Sequence, residues 1–392
     1  MPQFAAAELV NELPSNLFGV LEKMAAAIDT RNKPLIDLSS GSPRQPAPAA
    51  IIAELQEAVG RPENHEYPSF WGKPQVRQAI ADFYQRQYGV TLDPDTEIAV
   101  FHGSHIGITG VPRALVNPGQ YIIATDPCFP TFRNVAKQAQ AQFWGIPVNA
   151  ENDFVPDFNS VPEEVARNAG LLVLNYPHNP TGALATPELF ADALAWAQRY
   201  QLPVLNDFAY AAIGASEGGA PISLLAQPGG KEWGVETYTL SKTFNMAGWR
   251  FGFAVGNASI IQALKKLHTH SYSTVFGAVQ DAATVALNLA DSDIDPHLAV
   301  YPRRRTLVEQ RLAELGWPVR HGQGSFFLWL EVPPGFTSQQ LTEHLLQQAH
   351  VLVVPGTGFG PGGEGYIRIS LTASDAELGE AFDRIAALKL FR

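Results

Sequence analysis

Seven short apolar runs in the middle of the chain constrain its fold more than any other feature. They read EIAVFHGS (97–104), QYIIATDP (120–127), AQFWGIPV (141–148), GLLVLNYP (170–177), LPVLNDFAY (202–210), VETYTLSK (235–242) and RFGFAVGN (250–257). Runs this continuous leave no polar face for water, so a sheet built from them must be covered on both sides. Helical patterns between several of them supply the cover. In PELFADALAWAQRY (187–200), Thr186 is the expected N-cap and Pro187 takes the first helical position. The pattern predicts an α/β fold whose large domain holds a mostly parallel seven-stranded sheet covered by helices.

The flanks read differently. QVRQAIADFYQRQYG (75–89) predicts an amphipathic helix with Val76, Ile80, Phe83 and Tyr84 on one face and Gly89 as its C-cap. Beyond residue 275 come long helical patterns, then the strands SFFLWLEV (325–332) and YIRISL (366–371), then a helix opened by the capping box Ser374/Glu377. These features predict a smaller α+β domain made from both chain ends, residues 1–40 and 276–392, beside a large domain of residues 41–275. One long helix is expected to join them.

Composition narrows the function classes. The chain is 46% hydrophobic and 17% charged, enough for a large core, and its net charge of −11 argues against a nucleic-acid footprint. No run of 18 apolar residues is present, so no membrane span is expected. The stretch MPQFAAAELVNELPSN carries no basic residue and fits neither a signal nor a transit peptide, which predicts a cytoplasmic protein. A single cysteine, Cys128, excludes an intramolecular disulfide and a cysteine-based zinc site, and no metal is expected. A dinucleotide-binding dehydrogenase would fit the α/β pattern, but the GxGxxG fingerprint is missing.

The chemistry concentrates where the apolar runs end. In TLSKTFNMAGWRFG (239–252), Lys242 stands among Thr239, Ser241 and Thr243, and Arg250 follows eight residues later. A lysine in so apolar a setting is easily kept neutral, and a neutral amine can capture an aldehyde as a Schiff base. Asp207 closes the run LPVLND, where a buried carboxylate needs a partner such as a protonated ring nitrogen. Tyr210 follows three residues on. In NYPHNPTG, Asn179 sits in a tight turn between Pro177 and Pro180. The glycine-rich turn HGSHIGITG offers free backbone N–H groups at a helix N-terminus, suited to a phosphate, and Arg250 adds a charged fork. Phe129, held between prolines in DPCFP, is placed to stack on a flat ring. Arg368 alternates with Ile367 and Ile369, so it points off the core face. That position suits either an ordinary half-buried strand or a clamp on a carboxylate. Together these parts describe a site for pyridoxal 5′-phosphate.

These motifs, in this order along nearly the whole chain, resemble the class I/II aminotransferases, the fold-type-I pyridoxal-phosphate enzymes. The resemblance implies that Lys242 captures the cofactor aldehyde and later moves the proton between the substrate α-carbon and the cofactor. It implies that Asp207 pairs with the ring nitrogen, that Tyr210 and Asn179 bond the ring oxygen, and that Phe129 stacks on the ring. Gly103, Ser104, His105, Thr239, Ser241 and Arg250 would hold the phosphate. Arg368 would take the substrate α-carboxylate, with Gly41 closing over it. Tyr67 would reach the phosphate of a neighbouring subunit, so a homodimer with shared active sites is expected. The implied activity moves an amino group between an L-amino acid and a 2-oxo acid by a ping-pong route. No arginine lies between Arg250 and Arg303 to bind a distal carboxylate, so an apolar, aromatic or sulfur-containing donor is expected. A diaminopimelate-pathway aminotransferase, a carbon–sulfur β-lyase and a cofactor-binding regulatory protein are the alternatives. His105 would either tune the pocket or only present its backbone N–H.

Overall fold

The computed structural model describes residues 2–213, 221–272, 274–319 and 324–391. Among them the strands are β1 (Ile36–Asp37), β2 (Ile98–Phe101), β3 (Tyr121–Asp126), β4 (Gln142–Pro147), β5 (Ala169–Leu174) and β6 (Val204–Asp207). They continue with β7 (Gly234–Thr239), β8 (Gly252–Gly256), β9 (Phe327–Glu331), β10 (Val351–Leu352), β11 (Val354–Pro355) and β12 (Tyr366–Ser370). Each of the seven apolar runs supplies one strand of a seven-stranded sheet in the order β2-β8-β7-β6-β5-β3-β4.

Burial explains the sequence pattern. Every residue of β2, β6, β7 and β8 is buried, as covering both faces requires. Strand β4 is one of the two edges, and it is the strand left largely part-exposed and ending in proline. Strand β8 runs antiparallel to both β2 and β7, whereas the remaining neighbours pair in parallel. This reversal matters for the site. The residues just before β8 lie at the same sheet edge as the carboxyl ends of β2, β5, β6 and β7.

Helix signals read from sequence recur at their expected places. Thr186 Oγ1 accepts from the Leu189 N–H, and Gly89 caps the helix Pro74–Tyr88 in the left-handed conformation at φ 69°. Ser374 and Glu377 form the reciprocal capping box. In the smaller sheet, β12 pairs antiparallel with β9 and β11, and helices Val300–Glu314 and Asp375–Ala386 pack over it in one apolar cluster. Strand β1 pairs in parallel with β10, which joins the two chain ends.

The join differs from the single long helix expected. Residues 277–314 form three helices, Gly277–Asn288, Asp291–Leu298 and Val300–Glu314. Leu289 and Ala290 adopt extended backbone and break the first from the second. Ala282, Ala283, Ala286 and Leu287 pack with Val76, Ile80 and Phe83 in the cluster that covers the large sheet. We therefore propose that the large domain extends past 275, to the break near 290.

Candidate active site

A cavity of about 640 Å³ opens outside the carboxyl ends of β5, β6 and β7, the crevice where open α/β sheets bind ligands. Lys242 lies in a short helix, Leu240–Thr243, that continues directly from β7. Its ammonium donates to the Gly41 carbonyl at 2.5 Å and lies 5.9 Å from the Tyr210 ring and 5.8 Å from the Phe326 ring. Burial, with the charges of Arg368 and Arg250, lowers its pKa to about 8. The amine therefore gives up its proton far more readily than an exposed lysine does.

Asp207, the last residue of β6, is 5% exposed and faces the same cavity. Thr237, its register partner on β7, donates to Asp207 Oδ1 at 3.2 Å. Among the described residues no basic side chain forms an ion pair with Asp207. Desolvation therefore prevails over the Thr237 bond and the Lys242 charge, and the carboxyl is pushed up to about 7. Tyr210 is buried against Phe326 and Phe327, and burial raises its phenol.

Asparagine links two strand ends. Asn175, directly after β5, donates through Nδ2 to the Asp207 carbonyl at 2.6 Å and accepts the Asn179 N–H at 3.0 Å. Asn179 is thereby fixed in its turn, with Oδ1 accepting from Arg368 Nη1 at 2.8 Å. Arg368 does point off the apolar core of the small sheet, but not into solvent: it is 1% exposed and enters the cavity. Its Nη2 donates to the Ser39 carbonyl at 2.8 Å, and the guanidinium stacks 3.9 Å from the Phe327 ring. Its Nε has no partner, and among the described residues no carboxylate pairs with it. Burial lowers its pKa to about 10. A buried guanidinium without an anion is costly, and its fork suits an oxyanion such as a carboxylate.

The opposite wall is shaped for an oxyanion. Gly103 caps the helix Ser104–Leu115 at φ 85°, and any side chain there would strike the Arg250 guanidinium. A side chain at Gly252 would strike the backbone of Gly103 and Ser104. These contacts bring the helix N-terminus, Arg250, Thr239 and Ser241 to one place, with Thr239 Oγ1 donating to Ser241 Oγ at 2.8 Å. His105 stands at the rim, and partial desolvation, then the Arg250 charge, lowers its pKa. Phe129 caps the helix Pro130–Gln138 and lines the cavity.

Nearly all the residues singled out by sequence therefore converge. Gly103 lies behind the wall beneath Arg250. Tyr67 stands apart, 95% exposed on the surface. Sequence reading passed over the helix Leu17–Ala26, which brings Phe18, Leu21, Glu22 and Ala25 to the cavity. It also missed Phe327, the ring beneath both Gly41 and Arg368, and Asn175. The helix had a legible signal in Asn16, whose side chain caps Gly19 at 3.1 Å, followed by apolar residues at helical spacing.

The cavity suits pyridoxal phosphate on the donor set alone. A buried carboxylate without a cation among the described residues, an amine with a lowered pKa and a helix N-terminus flanked by arginine and hydroxyls match its ring nitrogen, aldehyde and phosphate. Comparison with known proteins agrees. The family profile for aminotransferase class I and II matches residues 33–385. The chain is 42% identical, over 99% of its length and 98% of the relative's, to the L-glutamine–4-(methylsulfanyl)-2-oxobutanoate aminotransferase of Bacillus subtilis. It is 40% identical to the LL-diaminopimelate aminotransferase of Aquifex aeolicus, over 99% of this chain and all of the relative. Among solved structures, substrate-bound BacF from Bacillus subtilis superposes with a TM-score of 0.94 at 36% identity, covering 99% of this chain and 98% of that one. An aminotransferase from Staphylococcus aureus superposes at 0.91 with 39% identity, covering 98% and 99%. The chain belongs to the class I and II aminotransferases, and is an enzyme of that family dependent on pyridoxal 5′-phosphate.

Proposed function

We propose that this aminotransferase takes its amino group from L-glutamine or an apolar, aromatic or sulfur-containing amino acid, and passes it to a 2-oxo acid such as 4-(methylsulfanyl)-2-oxobutanoate. The reading is carried by one observation: Lys242, Asp207 and Arg368 line a single cavity whose outer wall, Phe18, Leu21, Ala25, Leu35 and Leu352, is apolar. The name of the Bacillus subtilis relative supports the substrate pair.

Pyridoxal phosphate supplies an aldehyde that condenses with amines and a protonated ring that draws electrons from the α-carbon. The protein does the rest. Asp207 keeps the ring nitrogen protonated, Tyr210 and Asn179 orient the ring oxygen, and Phe129 covers the ring face. Gly103, Ser104, His105, Thr239, Ser241 and Arg250 bind the phosphate. Arg368 holds the substrate α-carboxylate, with Gly41 beside it. Lys242 takes the α-proton and returns it one carbon away. The amino acid and the oxo acid occupy the same place in turn, so the two half-reactions alternate.

The enzyme acts as a cytoplasmic homodimer in this proposal. Tyr67, Phe70 and Trp71 are exposed together with Tyr272 and Phe276, and the two segments adjoin through the Thr274 hydroxyl, which donates to the Ser69 carbonyl at 2.9 Å. An exposed aromatic group of this kind marks an interface. Among the described residues no helix is long and apolar enough to cross a membrane.

The test is a donor panel on the reconstituted enzyme. Glutamine and methionine are expected to bleach the visible band of the bound cofactor, and 4-(methylsulfanyl)-2-oxobutanoate to restore it, with parallel double-reciprocal lines. LL-Diaminopimelate as the fastest donor would favour the Aquifex-type reading. Pyruvate and ammonia from cystathionine would favour β-elimination, and intersecting lines would overturn the alternating scheme.

A further inference from the structure

Six charged side chains of known direction line the cavity: Glu22, Asp37, Asp207, Lys242, Arg250 and Arg368. Resting on the reading above, Asp207, Lys242 and Arg250 belong to the cofactor and Arg368 to the substrate α-carboxylate. Asp37 is held locally, with Oδ1 accepting from the Ser39 N–H at 2.7 Å and its hydroxyl at 2.6 Å. Glu22 is what remains, and among the described residues no basic side chain pairs with it. It is the one uncommitted charge on an otherwise apolar wall.

Its position is defined by the helix that carries it. Phe18 lies on the same helix, and its ring is 5.7 Å from the Arg368 guanidinium. Glu22 follows Phe18 by four residues, which places it one turn further along the same face, about 5–6 Å away. A substrate with its α-carboxylate on Arg368 and its side chain along this helix passes Phe18 and Leu21 first. The distal end of a chain of glutamine length then reaches Glu22. A carboxylate can accept a hydrogen bond there but cannot donate one, and it opposes a second negative charge.

We propose that Glu22 determines which end group the side-chain pocket accepts: it takes the N–H of a distal carboxamide and turns away the distal carboxylate of an otherwise identical donor. The pocket then distinguishes glutamine from glutamate without any arginine for the distal group. A purely apolar side chain is admitted by the surrounding wall.

The experiment compares glutamine, glutamate and norleucine as donors for the wild-type holoenzyme and for Glu22→Gln and Glu22→Arg. Norleucine shares the chain length and lacks a polar end, so each kcat/KM is expressed as a ratio to it. In Glu22→Gln the glutamate ratio should rise about tenfold, because a like charge near the surface contributes on that order. In Glu22→Arg the preference should invert towards glutamate. Calorimetric binding of glutarate and glutaramate to each protein gives a readout independent of turnover, and glutarate affinity should rise in the same order. Ratios and affinities that stay within about twofold in both variants, with norleucine still a donor, would overturn the inference and leave the aminotransferase reading intact. A wild type that bleaches with none of the three donors would overturn the substrate reading, and this inference with it. Glu22 is exposed where it lines the cavity, so the substitutions should leave folding undisturbed.

Discussion

Asp207 and Arg368 are both ionisable and both buried, and among the described residues neither has an ion-pair partner. Such groups are a cost to folding, and their presence identifies the site more sharply than their identity does. The cost has a pH signature. The Asp207 carboxyl is pushed from 3.8 up to about 7, so between those values the folded protein binds a proton that the unfolded chain does not. Stability therefore falls as pH rises through that window, is least penalised below it and fully penalised above it. Asp207→Asn should stabilise the cofactor-free protein at pH 8 by more than it does at pH 4, measured by urea denaturation. The same variant should lose at least about 10²-fold in kcat, since no charge then holds the ring proton. Equal effects of the substitution at both pH values would show that the carboxylate is not desolvated. At this scale the sequence was informative for residues that end strands: Lys242, Asp207 and Asn179 were all legible from their place after an apolar run. The depth of Arg368 was not. Alternation shows which face of a strand a residue occupies but not what lies over that face, and here it is Asn179 and Ser39 rather than water.

Elements with a period of their own were legible. The seven runs became seven strands, and the caps at Thr186, Gly89 and Ser374 recur because each satisfies backbone groups within a few residues. The two-residue strands were not: β1 and β10 pair across more than three hundred positions, and β11 is too short to carry a period of its own. The break at Leu289–Ala290 also went unread: the helix before it turns to pack against Pro74–Tyr88. The strand–turn–helix at Gly103 is the element on which the proposed phosphate site rests. Its φ of 85° and the guanidinium overhead leave no room for a side chain. Gly103→Ala should displace Arg250 and weaken cofactor affinity by at least about tenfold, with the left-handed backbone adding about 1 kcal/mol of strain. Cofactor titration followed by fluorescence quenching reads this directly, and unchanged affinity would remove Arg250 from the phosphate site.

At the scale of the whole molecule, a seven-stranded sheet and a smaller three-stranded sheet are both present, and the apolar runs that build them were visible in the sequence. The proposed dimer was implied only by resemblance, because a single chain's sequence does not say which exposed aromatics will be covered. If Phe70 and Phe276 are covered by a second copy, placing carboxylates there buries unpaired charge at a cost of several kcal/mol. The double variant Phe70→Glu/Phe276→Glu should sediment mainly as monomer at micromolar concentration where the wild type is dimeric. A dimer undisturbed by both changes would move the interface elsewhere.

The segment Ser39–Gly41 touches both ends of the chemistry. Its first carbonyl accepts from Arg368 and its last from Lys242. The Gly41 carbonyl favours the protonated form of the amine, so a looser bond there leaves the lysine lone pair free more of the time. Reactivity is then a product of two factors: how fast the free amine reacts, and how often it is free. Changes in the strap that leave every reacting atom in place would scale all donors by one common factor, as a throttle does, and would leave selectivity where the pocket wall sets it.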